Sequence, residues 1–102
     1  MEAVDVVDNA DASRYEVTVD GRLAGFADYR RKPGKLVITH TEIDDEFEGR
    51  GLGSRLVRGA LDGAREAGVH VVPLCPFVAR YVEKHPEYAD LITPAPEPAA
   101  EA

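Results

Sequence analysis

The amino-acid sequence predicts an α/β fold, or α+β in looser terms: a mostly antiparallel sheet extended by one parallel crossover, with two principal helices. Strand and turn signals, with period-two alternation at 15–20, run through residue 42. Helical spacing takes over after Glu48, and a short strand and a second helix follow Gly68. Strands present successive side chains to opposite faces, whereas helices return every third or fourth residue to one face, so the two periods separate the elements.

Val4, Val6 and Val7 open a short strand that Asn9-Ala10-Asp11 interrupts. Tyr15, Val17 and Val19 then alternate with Glu16, Thr18 and Asp20, the pattern of a half-buried strand. Asp20-Gly21 tolerates positive φ and suits a two-residue hairpin loop. Leu23 to Tyr29 is the return strand, with Gly25 a candidate bulge. Lys32-Pro33-Gly34-Lys35 supplies the next turn, and the β-branched run 36–41 reads as a central strand. Beyond the glycines, Leu52, Leu56, Val57, Ala60, Leu61 and Ala64 share one helix face, while Arg55, Arg58, Asp62 and Arg65 take the other. Gly68 is placed to end that helix in a left-handed cap. Val69, Val71, Val72 and Leu74 predict a short buried strand. Pro76 suits the first turn of the second helix, whose apolar side is Phe77, Val78, Tyr81 and Val82 and which His85-Pro86 closes. Strand, helix, strand requires a crossover and a parallel pair.

A chain of 102 residues is one domain by length, expected over 1–92. The last ten residues, TPAPEPAAEA, have nothing to bury and are expected to form a disordered tail over 93–102. No apolar run approaches the roughly 20 residues that span a bilayer, and no secretion signal opens the chain, so a cytoplasmic protein without membrane partners is expected. The net charge of -7 leaves no excess of Lys and Arg to neutralise phosphates, which argues against general nucleic-acid binding. The lone Cys75 excludes an internal disulfide. Three histidines and one cysteine show no metal-ligand spacing, and no metal is expected. A monomer or weak homodimer fits this size.

The stretch Glu46-Phe47-Glu48-Gly49-Arg50-Gly51-Leu52-Gly53-Ser54-Arg55 is the candidate for an anion-binding loop. A helix N-terminus has unpaired N–H groups and partial positive charge, which suit a phosphate. Glycine lets the backbone approach such an anion closely, and Arg50 and Arg55 add charge. The spacing matches neither G-x-x-x-x-G-K-S/T nor G-x-G-x-x-G. From spacing alone, a phosphate cradle and a structural strand-to-helix turn both stay open.

Gly49-Arg50-Gly51-Leu52-Gly53, after a β-branched strand and before an amphipathic helix, resembles the pyrophosphate loop of the GNAT (Gcn5-related) superfamily, Q/R-x-x-G-x-G/A. Gly51 and Gly53 match, and Glu48 stands where Gln or Arg is usual. Ala79-Arg80-Tyr81-Val82-Glu83-Lys84-His85 is similar to the superfamily helix in which a tyrosine precedes Glu-Lys. Here Val82 holds the tyrosine's place and Tyr81 falls one residue early. With His40-Thr41-Glu42, Val72-Pro73-Leu74-Cys75-Pro76-Phe77-Val78 and His85-Pro86-Glu87-Tyr88, the chain from Tyr15 to Ile92 resembles the small single-domain GNAT-like proteins.

That resemblance implies an acetyl-CoA-binding fold whose cosubstrate is acetyl-CoA and whose second partner is an unknown amine or protein acceptor. It implies pyrophosphate contacts at Arg50, Gly51, Leu52, Gly53, Ser54 and Arg55, and strand backbone offered to pantetheine at Thr41, Glu42 and Ile43. Phe77 and Tyr81 are expected along the pantetheine arm or, equally, in the core. Cys75, ahead of a proline-led helix, is the family's proposed catalytic residue, and a helix N-terminus favours thiolate; a small buried residue is the alternative. His40 is a candidate base, as is Glu42. Strict alternation, however, places His40 on the face of Leu36 and Ile38, as a hydrogen-bonded core histidine. His70 is expected to face outward, and His85 to stabilise its helix end. An acetyltransferase is the leading expectation; a non-catalytic acyl-CoA-binding module is the alternative.

Overall fold

A computed structural model describes residues 3–93. Five strands form one sheet in sequence order: β1 (Val4–Asn9), β2 (Arg14–Val19), β3 (Arg22–Lys32), β4 (Lys35–Ile43) and β5 (His70–Pro73). The first four are antiparallel neighbours, and β5 pairs parallel with β4. Helix α1 (Leu52–Ala67) makes that crossover, and α2 (Pro76–Lys84) follows β5. The expected fold class is the observed one, with 3-10 segments added at Ala10–Ala12, Asp45–Phe47 and Pro86–Leu91.

Local chemistry accounts for the element ends. Asp20 and Gly21 both take positive φ, the backbone of a tight hairpin that follows strand twist. Gly68 caps α1 at φ 73, its N–H bonding to the carbonyls of Ala64 and Arg65. Pro76 sits in the first turn of α2, where its missing N–H costs no helix bond.

One face of the sheet packs on the helices. Tyr15, Val17, Ala27, Leu36, Ile38 and Val71 form a single cluster with Leu56, Val57, Ala60 and Leu61 of α1 and Val78 and Tyr81 of α2. Leu74, expected in the buried strand, is 50% exposed, because β5 ends at Pro73 and the chain turns toward α2.

Two bulges interrupt the alternation. Opposite Val17 and Thr18, β3 offers Gly25 and Leu23, so the extra residue is Ala24, one place before the glycine expected to bulge. Opposite Asp28 and Tyr29, β4 offers His40 and Ile38, which leaves Thr39 as the extra residue. The second bulge reverses the faces of everything after it in β4. Thr41 and Ile43 turn toward the helix side, and His40 and Glu42 turn away. His40 is therefore not the core histidine that alternation predicts; its side chain is 56% exposed and its Nε2 lies 3.2 Å from Glu42 Oε1.

The segment after α2 is held by side chains that periodicity does not report. Tyr88 is buried, and its hydroxyl donates to Asp62 on α1 at 2.7 Å; Arg65 donates to both Asp90 oxygens and to the Glu87 carbonyl. Thr93 N–H donates to the Val71 carbonyl, so contacts with β5 run one residue into the segment expected to be tail. The remainder of that expectation, 94–102, lies outside the described residues.

Tyr88→Phe is expected to lower stability by about 1 kcal/mol, the usual net value of one hydrogen bond. Burial, then the Asp62 carboxylate, pushes the Tyr88 hydroxyl up from 10.0 to about 12. A raised folded value favours the protonated fold. The contribution is thus full below pH 10 and lost as pH rises through about 12. Denaturant unfolding of wild type and variant at neutral pH and at pH 11 checks both the size and the direction of the change.

Candidate functional site

The parallel pairing of β4 and β5 stops at Ile38 and Pro73. The N–H groups of Leu74 and Cys75 both converge on the Ile38 carbonyl, and there β4 bulges at Thr39. Beyond that point the two chains diverge, so β4 presents an edge with no strand partner among the described residues. The Thr41 backbone lies close enough to the Cys75 thiol to help make it more acidic, and the Thr41 hydroxyl is 3.4 Å from the Cys75 sulfur. Ile43, two residues on, directs its N–H to the same side as that of Thr41. The edge offers backbone groups to an extended ligand, as strand-edge recognition requires.

A cleft of about 460 Å³ continues this opening toward the start of α1. Thr41 and Ile43 form one wall, Phe47, Glu48, Gly49 and Gly51 the mouth, and Leu52, Gly53, Ser54 and Phe77 the other side. Gly51 is the N-cap of α1 at φ 73, and no side chain caps the helix. Gly49 lies at φ 80, and a Cβ added at either glycine would meet no heavy atom within 4 Å. The first N–H groups of the helix therefore face an open hollow, the arrangement that binds anions. Gly53 has a different role: a Cβ there would stand 2.9 Å from Phe77 Cζ, so glycine leaves room for the tip of that ring.

Cys75 is the N-cap of α2 and is 5% exposed. Its thiol donates to Thr41 Oγ1 at 3.4 Å across the opening. Burial pushes the thiol up, but the Thr41 hydroxyl and the backbone N–H groups of Val78, Phe77 and Thr41 together outweigh it. The result is a thiol more acidic than usual.

The expected site residues thus separate into four groups. Thr41, Ile43, Gly51, Leu52, Gly53, Ser54 and Phe77 line the cleft, with Cys75 bonded to its Thr41 wall. Arg50 and Arg55 are exposed beside the mouth and outside its lining, Arg50 with its guanidinium 5.5 Å from the Phe47 ring centre. Glu42 and His40 lie on the opposite sheet face. Tyr81 is not in the cleft: it is buried, stacked on His85 at 3.9 Å between ring centres, and it borders a separate hollow of about 180 Å³ with Ser54, Phe77, Arg80, Lys84 and His85. His85 also donates from Nδ1 to the Tyr81 carbonyl at 2.8 Å, the helix-end role expected of it. His70 faces outward as expected.

Sequence reasoning missed Phe47, which is 5% exposed and closes the cleft mouth, and it missed the Thr41 side chain as the partner of Cys75. An aromatic residue two positions before the first loop glycine was a usable signal for Phe47. Nothing local signalled Thr41, because the bulge sets its direction. Among the described residues no group of His, Cys, Asp or Glu is arranged to hold a metal, and no helix is long and apolar enough to cross a membrane.

A mixed sheet whose parallel pair ends at a bulge, beside an uncapped, glycine-led helix, thus frames the cleft. The GCN5-related N-acetyl-transferase family matches residues 14–91, and the chain belongs to that family. Among curated proteins it is 31% identical over 65 residues to Protein NATD1 of Mus musculus, covering 60% of this chain and 59% of that one, and similarly to the Homo sapiens protein, of which it covers 58%. The chain spans about three fifths of the length of these relatives. Its fold is similar to that of a GCN5-like protein from Staphylococcus aureus, with a TM-score of 0.70, 21% identity and full coverage of both chains. The ribosomal-protein-S18-alanine N-acetyltransferase of Escherichia coli shares the fold at a TM-score of 0.57 and 15% identity, over 70% of this chain and 64% of that one.

Proposed function

We propose that this protein binds acetyl-CoA in the cleft and transfers the acetyl group to an amine. The observation that carries the reading is the uncapped N-terminus of α1 opening into a cleft that leads along the free β4 edge to Cys75. The pyrophosphate rests on the N–H groups after Gly51, where the helix dipole favours negative charge. Pantetheine, itself an amide chain, bonds to the β4 edge at Thr41 and Ile43, and the thioester lies between β4 and β5. Toward the nucleotide end, Phe77 joins the cleft to the hollow of Arg80, Lys84 and His85, which suits a further phosphate.

The β4 bulge divides the work between the two sheet faces. Acetyl-CoA enters on the helix side, whereas His40 and Glu42 stand on the open side, one residue to either side of Thr41. With His40 Nε2–H donating to Glu42, Nδ1 is free to take a proton from the acceptor ammonium. The neutral amine attacks the thioester carbon; a C–N bond forms, and the oxyanion faces Thr41 N–H. The nitrogen gives up its surplus proton to solvent as the C–S bond breaks. The CoA thiolate takes the proton of the acidic Cys75 thiol, which recovers one from solvent. Cys75 thereby fills the place of the family's catalytic tyrosine, whose position Val82 occupies.

Calorimetric titration with acetyl-CoA and with dephospho-CoA, combined with thiol release in the presence of amines, tests the reading. Saturable binding of acetyl-CoA, about tenfold weaker binding of dephospho-CoA, and amine-dependent thiol release are expected. No binding of acetyl-CoA would overturn it. Binding without amine-dependent release would instead make the protein an acyl-CoA-binding module, the reading favoured by the missing tyrosine.

A further inference from the structure

The sheet face opposite the helices carries a further hollow, of about 80 Å³, between Leu23, Phe26, Glu42 and Asp44. Strand register places Val7, Glu16, Phe26 and Glu42 in one row across β1 to β4, and Arg14, Asp28 and His40 in the adjacent row. Val7 and Leu23 are 48% and 45% exposed on this face. The rim is acidic. Glu16 is paired with Arg14 at 2.7 Å, while Glu42 and Asp44 border the hollow. The Phe26 ring already carries the Arg14 guanidinium 4.7 Å from its centre, so its environment accepts a cation.

We infer that this hollow holds a lysine or arginine flanking the acceptor amine, and that the acceptor is an exposed basic segment of a protein. The hollow lies on the β3 side of β4 and the thioester opening on the β5 side, with His40 and Glu42 between them; the His40 and Phe26 ring centres are 6.2 Å apart. A segment crossing β4 places one side chain over Leu23 and Phe26, its charge against Glu42 and Asp44, and the reacting amine past His40 at the opening. Apolar stems with a charged tip fit an apolar floor with an acidic rim. A shallow hollow on an open sheet encloses too little surface to select a small free amine, for which an enveloping pocket is the usual device. A peptide instead gathers contacts along several strands.

The inference rests on the acetyl-transfer reading only for the fate of the amine, so its test measures binding without turnover. Lysine peptides of equal length, flanked by lysine, alanine or glutamate, are titrated into the CoA-bound protein while backbone amide resonances are followed. The lysine-flanked peptide is expected to bind about tenfold more tightly than the alanine-flanked one, and to move Leu23, Phe26 and Glu42. Glu42→Lys, an exposed change that the fold tolerates, is expected to reverse the order in favour of the glutamate-flanked peptide. Leu23→Ser is expected to weaken the lysine- and alanine-flanked peptides to different extents, reducing the gap between them. Equal affinity for all three peptides, shifts confined to other residues, or tighter binding of spermidine than of the basic peptide would overturn the inference. Failure to bind acetyl-CoA would instead strike the reading of the cleft.

Discussion

Gly51→Asp is expected to weaken acetyl-CoA binding by about a hundredfold, the loss of one or two charge-assisted hydrogen bonds, while leaving the fold nearly as stable as before. Gly51 caps α1 at φ 73 with open space around it, so the new side chain meets no neighbour. Aspartate tolerates left-handed backbone better than most residues, and a carboxylate at a helix N-terminus contributes about 0.3–1 kcal/mol, which offsets the strain. The same carboxylate sits where the pyrophosphate must bind and repels it. Gly51→Asn, which adds the bulk without the charge, is expected to lose less affinity. Calorimetry with acetyl-CoA and urea unfolding of the three proteins make the comparison. Undiminished binding by the aspartate variant would place the pyrophosphate elsewhere.

The second large effect is expected at Cys75. Cys75→Ala should reduce kcat by about 10²–10³-fold, the range of a positioned acid, with acetyl-CoA affinity unchanged. Cys75→Ser keeps the shape and a hydrogen bond to Thr41, but its hydroxyl is far less acidic, so it should also be slow. The pH dependence separates a proton donor from a packing residue. The thiol must be protonated to act, and its hydrogen bonds hold it below the 9.0 of a free thiol, so activity should fall as pH rises through a value under 9.0. That descending limb should vanish in both variants. Unchanged kcat in both would remove Cys75 from the reaction, and an acetylated Cys75 found by intact-mass measurement would make it a nucleophile instead.

The helices and turns were legible because their signals are local. The α1 face from Leu52 to Ala64, the Asp20-Gly21 hairpin, the Gly68 cap and Pro76 each follow from the preferences of a few adjacent residues. The glycine loop was legible as a strand-to-helix turn for the same reason, and the structure adds that the helix start is uncapped, with open space at Gly49 and Gly51. The assignment of His40 failed because alternation counts residues, and a bulge inserts one. Thr39 is as β-branched as its neighbours, so nothing in residues 36–43 marks it as the unpaired one. Leu74 failed because an apolar residue continues a strand pattern whether or not its partner strand is still alongside. The segment after α2 was missed because a single tyrosine reaching Asp62, 26 residues away in sequence, carries no periodicity.

The fold class, the position of the uncapped, glycine-led helix start and the family were all readable from the residue string, since each is signalled by short runs of neighbouring residues. How these parts become a site was settled by packing alone. Strand pairing fixed the bulge at Thr39; the bulge turned Thr41 toward Cys75 and sent His40 and Glu42 to the opposite face. Those outcomes depend on register between β3, β4 and β5, a non-local quantity that one misplaced residue inverts.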